Sequence, residues 1–153
     1  MKWYYLLIWI IPTDYFKIKD NATNTYITAT NHDNLVMLSE KAGTDQVWFW
    51  DRHFLKNKKF PYRAVIVDKS SYTDTEFGKL KIHESTYDIR EQQFEIHNDE
   101  LICKWNDLRF GYNATNLAVG CIDRNDPDPQ TWEIVKGKDV LKAEDFMSLQ
   151  LYK

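Results

Sequence analysis

Three groups of side chains in this chain of 153 residues set hydrogen-bonding groups beside flat rings, the mixture that holds a small polar ligand without breaking a bond. The richest is Trp105-Asn106-Asp107 with Tyr112-Asn113 and Asp123-Arg124-Asn125. The second is Tyr72, Asp74, Phe77 and His83. The third, Asn31-His32-Asp33-Asn34, has donors and acceptors but only Tyr26 as a ring. Covalent and metal chemistry find less support. Asp123, Asp126 and Asp128 crowd one loop as Ca²⁺ ligands would, but the loop lacks the glycine and closing glutamate of an EF-hand, and Pro127 and Pro129 stiffen it as a solvated turn. His32, His53, His83 and His97 have no metal-ligand spacing. No nucleophile elbow, zinc-protease helix motif, glycine-rich phosphate loop or kinase signature occurs. Cys103 and Cys121 either pair, if their strands are neighbours, or stay as free core thiols. The expectation is binding without catalysis, metal or cofactor.

Strands must position these groups. Apolar and polar residues alternate or cluster at Tyr15 to Lys19, Tyr26 to Thr30, Leu35 to Leu38, Gln46 to Phe54, Tyr62 to Val67, Leu80 to His83, Gln93 to His97, Leu101 to Trp105, Leu108 to Tyr112, Leu117 to Ile122 and Thr131 to Val135. Asx-rich and proline-rich turns separate them, among them Asp20-Asn21, Asn98-Asp99 and Asn125 to Pro129. Such short runs predict an all-β sandwich or barrel, with a short helix only in the tail, 138–149. No linker divides the chain, so one domain is expected. The net charge of −3 lacks the basic footprint of a nucleic-acid binder or a polybasic membrane segment. The apolar run Trp3 to Ile11 is too short to span a bilayer, so no stable membrane insertion is expected. It reads either as a signal segment, giving a secreted protein, or as an extra strand of a cytoplasmic one. Two glycosylation sequons, Asn21-Ala22-Thr23 and Asn113-Ala114-Thr115, are compatible with secretion.

One pattern repeats. Gln46-Val47-Trp48-Phe49-Trp50, Gln92-Gln93-Phe94-Glu95-Ile96 and Gln130-Thr131-Trp132-Glu133-Ile134 share the form Gln-x-ring-x-apolar, at offsets of 46 and 38 residues. Strand alternation puts the ring and the apolar residue on one face. Trp48, Phe94 and Trp132 are therefore expected to seal one core, and the glutamines to bond backbone in a neighbouring turn.

Over roughly Asp14 to Val135 the chain resembles the ricin-B-like β-trefoil lectins, whose hallmark is Gln-x-Trp in each of three repeats. It is closer in character to the shorter, cysteine-poor fungal members than to the disulfide-bonded plant toxins. The resemblance implies an all-β trefoil with a pseudo-threefold axis, in repeats of about 14–54, 60–98 and 99–136, with 1–12 as a signal segment or extra strand. The Cys-x-Asp element of the plant proteins, which supplies a sugar-binding Asp, is missing here. A site must then come from loops offering Asp or Asn and a ring, because a sugar presents hydroxyls and one apolar C–H face. Candidate ligand residues are Trp105, Asn106, Asp107, Tyr112, Asn113, Asp123, Asn125, Tyr72, Asp74, Phe77 and His83. As a platform, Trp105 should be dispensable for stability.

The implied function is carbohydrate binding, with glycans or glycoproteins as partners and multivalency, for which a homodimer would serve, raising weak affinity. Two readings compete. One is a trefoil protease inhibitor using the basic, proline-containing stretch Phe54 to Pro61 as an exposed loop. The other is a protein-interaction trefoil, because a fold does not determine a function.

Overall fold

The computed structural model describes residues 14–31, 33–68, 78–85, 89–97, 100–105, 107–122 and 132–136. The N-terminal apolar run, the tail expected as a helix and Gln130 lie outside these residues. The chain forms β1 (Phe16–Asp20), β2 (Thr25–Ala29), β3 (Leu35–Leu38), β4 (Trp48–Asp51), β5 (Phe54–Asn57), β6 (Arg63–Val67), β7 (Gly78–Glu84), β8 (Phe94–His97), β9 (Glu100–Cys103), β10 (Arg109–Tyr112), β11 (Val119–Ile122) and β12 (Trp132–Lys136).

Local pattern explains most of these strands. In β7 Leu80 and Ile82 are buried while Lys79 and Lys81 between them are half-buried, the period of two that one apolar face imposes. In β1 Phe16 and Ile18 point to the core. Lys17 is buried as well, its ammonium 3.3 Å from Glu40 and 5.9 Å from the centre of the Tyr26 ring. A buried lysine needs such company, because desolvating a lone ammonium is costly.

The strands fall into three groups of four with the same plan. β2–β3, β6–β7 and β10–β11 are antiparallel hairpins. The remaining strands join as β1–β12, β1–β4, β4–β5 and β8–β9. The hairpins touch pairwise: β7 pairs with β11, Val36 bridges Ala118, and Asn34 bridges Lys81. Three equivalent hairpins closing on one another around a strand wall make a β-trefoil, as the triple repeat implied.

The motif rings lie inside. Trp48, Phe94 and Trp132 are 0%, 2% and 4% exposed. The Trp48 indole donates to the Ile27 carbonyl at 3.0 Å and Trp132 to the Phe110 carbonyl at 3.2 Å, each reaching the first strand of its own hairpin. Phe94 has no donor and packs edge-on against Phe110 at 5.4 Å. The glutamines also repeat a role. Gln46 donates to the Ser39 carbonyl at 2.8 Å and Gln92 to the Glu84 carbonyl at 2.9 Å, so both amides tie the motif to the end of the preceding hairpin. Gln46 additionally accepts from the Lys41 N–H and donates to Thr28 Oγ1. Cys103 and Cys121 form a disulfide between β9 and β11, which resolves the two readings of these thiols.

Two expectations are corrected. The run Gln46 to Phe54 is two strands, because Arg52 and His53 make a tight turn with Arg52 at φ 58°. A left-handed residue there is usually Gly, Asn or Asp, so the sequence carries no turn signal. The stretch Phe54 to Pro61 is not an exposed inhibitor loop. Phe54–Asn57 pairs with β4, Phe54, Leu55 and Asn57 are buried, and Phe60 packs against the core. Asn57 Nδ2 donates to the Asp45 carbonyl at 2.9 Å, fixing the segment from within.

Candidate functional site

Two residues beyond each motif ring the strand reaches the edge of the core. Trp50 is half-buried, Ile96 is 40% exposed and Ile134 is half-buried, although simple alternation places all three beside their inward rings. Trp50 and Ile96 line a groove of about 500 Å³ together with Arg52, His53, Phe94, Glu95 and Lys104. Backbone bonds hold its parts in place: the Phe94 N–H donates to the His53 carbonyl at 3.2 Å, and the Lys104 N–H to the Gln93 carbonyl at 2.9 Å. Trp50 leans on Phe16 with ring centres 6.2 Å apart and planes at 30°. Arg52 lies 5.7 Å from the centre of the Phe54 ring and 3.6 Å from Asp51. The stronger partner of Asp51 is Lys56 at 2.7 Å, whose hydrogen bond holds that carboxyl below its ordinary value. Lys104 pairs with Glu95 at 3.9 Å. His53 Nε2 is shut from solvent without a hydrogen-bond partner.

A second polar surface lies where the first two hairpins meet. Asp33, in the β2–β3 turn at φ 68°, forms a hydrogen-bonded ion pair with Arg63 at the start of β6. The Asp33 carbonyl also accepts from the Ile82 N–H at 2.9 Å. The hydrogen bond from Arg63 holds the Asp33 carboxyl below its ordinary value, with the charges of Arg63, His83 and Lys81 acting in the same direction. Lys81 pairs in turn with Asp68 at 3.6 Å. Tyr62, next to Arg63, is 89% exposed.

Part of each group of residues that the sequence assembled lies among the described residues. His83 is exposed on β7 at the Asp33–Arg63 pair. Asn31 is exposed, Asn34 half-buried and Tyr26 buried. In the third repeat, Asp107 is exposed at φ 59° with its N–H bonded to the Cys103 carbonyl at 2.9 Å. Asn113 is exposed, and its side-chain oxygen accepts from the N–H groups of Thr115 at 2.8 Å and Asn116 at 3.3 Å, so it shapes the hairpin turn. Trp105, in the turn after β9, is half-buried and packs against the core, as Trp50 does. Tyr112 also turns inward. Its hydroxyl donates to Asp20 Oδ2 at 2.8 Å and its ring meets Trp132 edge-on at 6.3 Å. Burial, and then that hydrogen bond, push the Tyr112 phenol up. Asp20 Oδ2 accepts from Thr23 as well, at 2.7 Å. Asn106, Asp123, Asn125, Tyr72, Asp74, Phe77 and His32 lie outside the described residues. Among the described residues no group of three or more His, Cys, Asp or Glu could hold a metal ion.

Sequence reasoning missed the groove because it took Trp50 and Ile96 for core. One signal was available. The first copy of the motif carries a second indole, Trp50, where the other two carry Ile96 and Ile134.

Comparison with known proteins starts from structure, since the sequence matches no family model and no curated protein. The β-trefoil lectin of the Vibrio vulnificus hemolysin/cytolysin, solved with N-acetyl-D-lactosamine, superposes with a TM-score of 0.66 at 15% identity, covering 86% of this chain and 99% of that one. The C-half of an earthworm R-type lectin, solved with GalNAc, gives 0.63 at 12% identity over 81% of this chain and 99% of that one. An endo-β-galactosidase from Clostridium perfringens gives 0.65 at 10% identity, covering 82% of this chain but only 33% of the enzyme. At these identities the likeness establishes the architecture: this chain is a β-trefoil.

Proposed function

We propose that the protein is a carbohydrate-binding lectin that acts without catalysis. The groove carries this reading: an indole and an aliphatic side chain stand among Arg52, His53, Glu95 and Lys104, which suits one apolar sugar face and a ring of hydroxyls. The fold is the second support, since similar trefoils have been solved with GalNAc and N-acetyl-D-lactosamine bound. A ricin-B-like affiliation rests on the buried Gln46-x-Trp48 motif and its Gln92 counterpart, which make the same hydrogen bond to the preceding hairpin. His83, Asp107 and Asn113 remain the exposed sequence candidates for further contacts. The Cys103–Cys121 disulfide favours an oxidising compartment and supports secretion.

The test is a glycan array probed with the purified, disulfide-intact protein. Retention of a related set of glycans, competed by the free sugars, is the expected result. A blank array with folded protein would overturn the reading.

A further inference from the structure

We infer that Asn21 and Asn113 are both N-glycosylated, which places two glycans in neighbouring turns of the trefoil. This goes beyond carbohydrate recognition and rests only on the proposed secretion, which brings the chain to an oligosaccharide transferase.

The tertiary structure brings the two sequons together. Asn21 directly follows Asp20, the last residue of β1, and Asn113 directly follows Tyr112, the last residue of β10. The Tyr112 hydroxyl donates to Asp20 at 2.8 Å across 92 residues of chain. The β1–β2 and β10–β11 turns are therefore neighbours, and each opens on a sequon. Both stretches face solvent, 21–24 and 113–117 alike, as a bulky, hydrated substituent requires. The middle residue is alanine in each, not the proline that would block the acceptor.

The two ends of the Asn113 amide have separate roles. Its Oδ1 accepts from the N–H groups of Thr115 and Asn116 and so shapes the turn. Its Nδ2 bonds nothing among the described residues, and neither does the Asn21 side chain. A sugar on either nitrogen thus displaces no contact and leaves the Asn113 acceptor oxygen in place. Asn113 then carries a glycan and leaves the candidate ligand contacts.

The donor is an oligosaccharide linked to a lipid diphosphate. The amide nitrogen attacks C1 of its first sugar, the N–C1 bond forms, and the bond from C1 to the phosphate oxygen breaks. The lipid diphosphate leaves with the bonding pair, and one amide proton passes to a base of the transferase. Thr23 Oγ1 lies 2.7 Å from Asp20 Oδ2, so the hydroxyl completing the first sequon is engaged once the turn has formed. Transfer to Asn21 accordingly precedes folding. The Cys103–Cys121 disulfide fits the same oxidising compartment.

The experiment expresses the full chain with its own N-terminus in a eukaryotic secretory host and measures intact mass before and after an amidase that removes N-linked glycans. The secreted protein should lose two glycans. Asn21→Gln and Thr115→Ala should each lose one, and the double variant none. Thr115→Ser, which keeps the sequon, should lose two again. After glycan removal Thr115→Ala should melt with the parent, because the Thr115 side chain makes no bond among the described residues. A secreted chain with fewer than two glycans, or variants whose loss is unchanged, would overturn the inference while secretion stands. A chain that stays in the cytosol would overturn both. The glycan array decides the lectin reading separately.

Discussion

The third and fifth residues of the Gln-x-ring-x-apolar motif, only two positions apart on the same strand, have different fates. At the third, Trp48, Phe94 and Trp132 are sealed inside, and both indoles spend their N–H on a carbonyl of the adjoining hairpin. At the fifth, Trp50, Ile96 and Ile134 reach the edge of the core and keep part of their surface in water. Packing dictates the inner position, since a core leaves little volume to exchange. The outer one differs between repeats, and there the first repeat carries a ring, Trp50, that lines the groove.

The largest expected effect attacks the inner position. Trp132→Ala should lower unfolding stability by about 3–5 kcal/mol in urea titrations, through the cavity and the lost bond to the Phe110 carbonyl. Trp132→Phe, copying the second repeat, should cost much less; if it costs as much as alanine, the equivalence of the copies is wrong.

Reducing the Cys103–Cys121 disulfide, which spans 18 residues, should cost about 3 kcal/mol and lower the urea midpoint of the oxidised form. Among the described residues only the third repeat has such a link, so a negligible shift would mean that its hairpin closes as firmly as the others without one.

Tyr112→Phe removes the hydroxyl that bonds Asp20 and should cost about 1–2 kcal/mol with glycan retention unchanged. Lost retention at unchanged stability would make Tyr112 a ligand contact. Trp50→Ile should alter stability by about 1 kcal/mol or less, because the site is partly solvated and the replacement already occurs in the fold.

The smallest effect concerns the link between the first two hairpins. Arg63 holds the Asp33 carboxyl below its ordinary 3.8, so the pair stabilises the fold at pH values above that figure and ceases to do so as pH falls through the lower folded value. Arg63→Gln should therefore reduce stability by under about 1 kcal/mol at neutral pH, as for exposed pairs, and by nothing measurable once Asp33 is protonated. A difference that persists in strong acid would assign the effect of Arg63 to packing.

Much of this architecture was legible residue by residue. The alternation in Leu80 to His83 and the triple motif foretold strands and buried rings, because those signals are local and repeat, and the resemblance that the motif carries implied the trefoil. The break at Arg52-His53 was not legible, since its left-handed turn lacks a glycine or asparagine. The site was less readable than the fold. Trp105 and Tyr112 carry the same letters whether they face a ligand or the core, and only their neighbours decide.

By itself, then, the order of residues determined which segments extend, which rings must hide and that hydrogen-bonding side chains beside rings outnumber any catalytic signature. The tertiary structure alone decided that Tyr112 meets Asp20 across 92 residues, that Asp33 meets Arg63 across 30, and that Trp50 and Ile96 share one groove. Periodicity is a property of neighbours along the chain, so it survives in a string of letters. The meeting of distant segments depends on how three hairpins close on one another, and that closure is settled by the packing of the whole core.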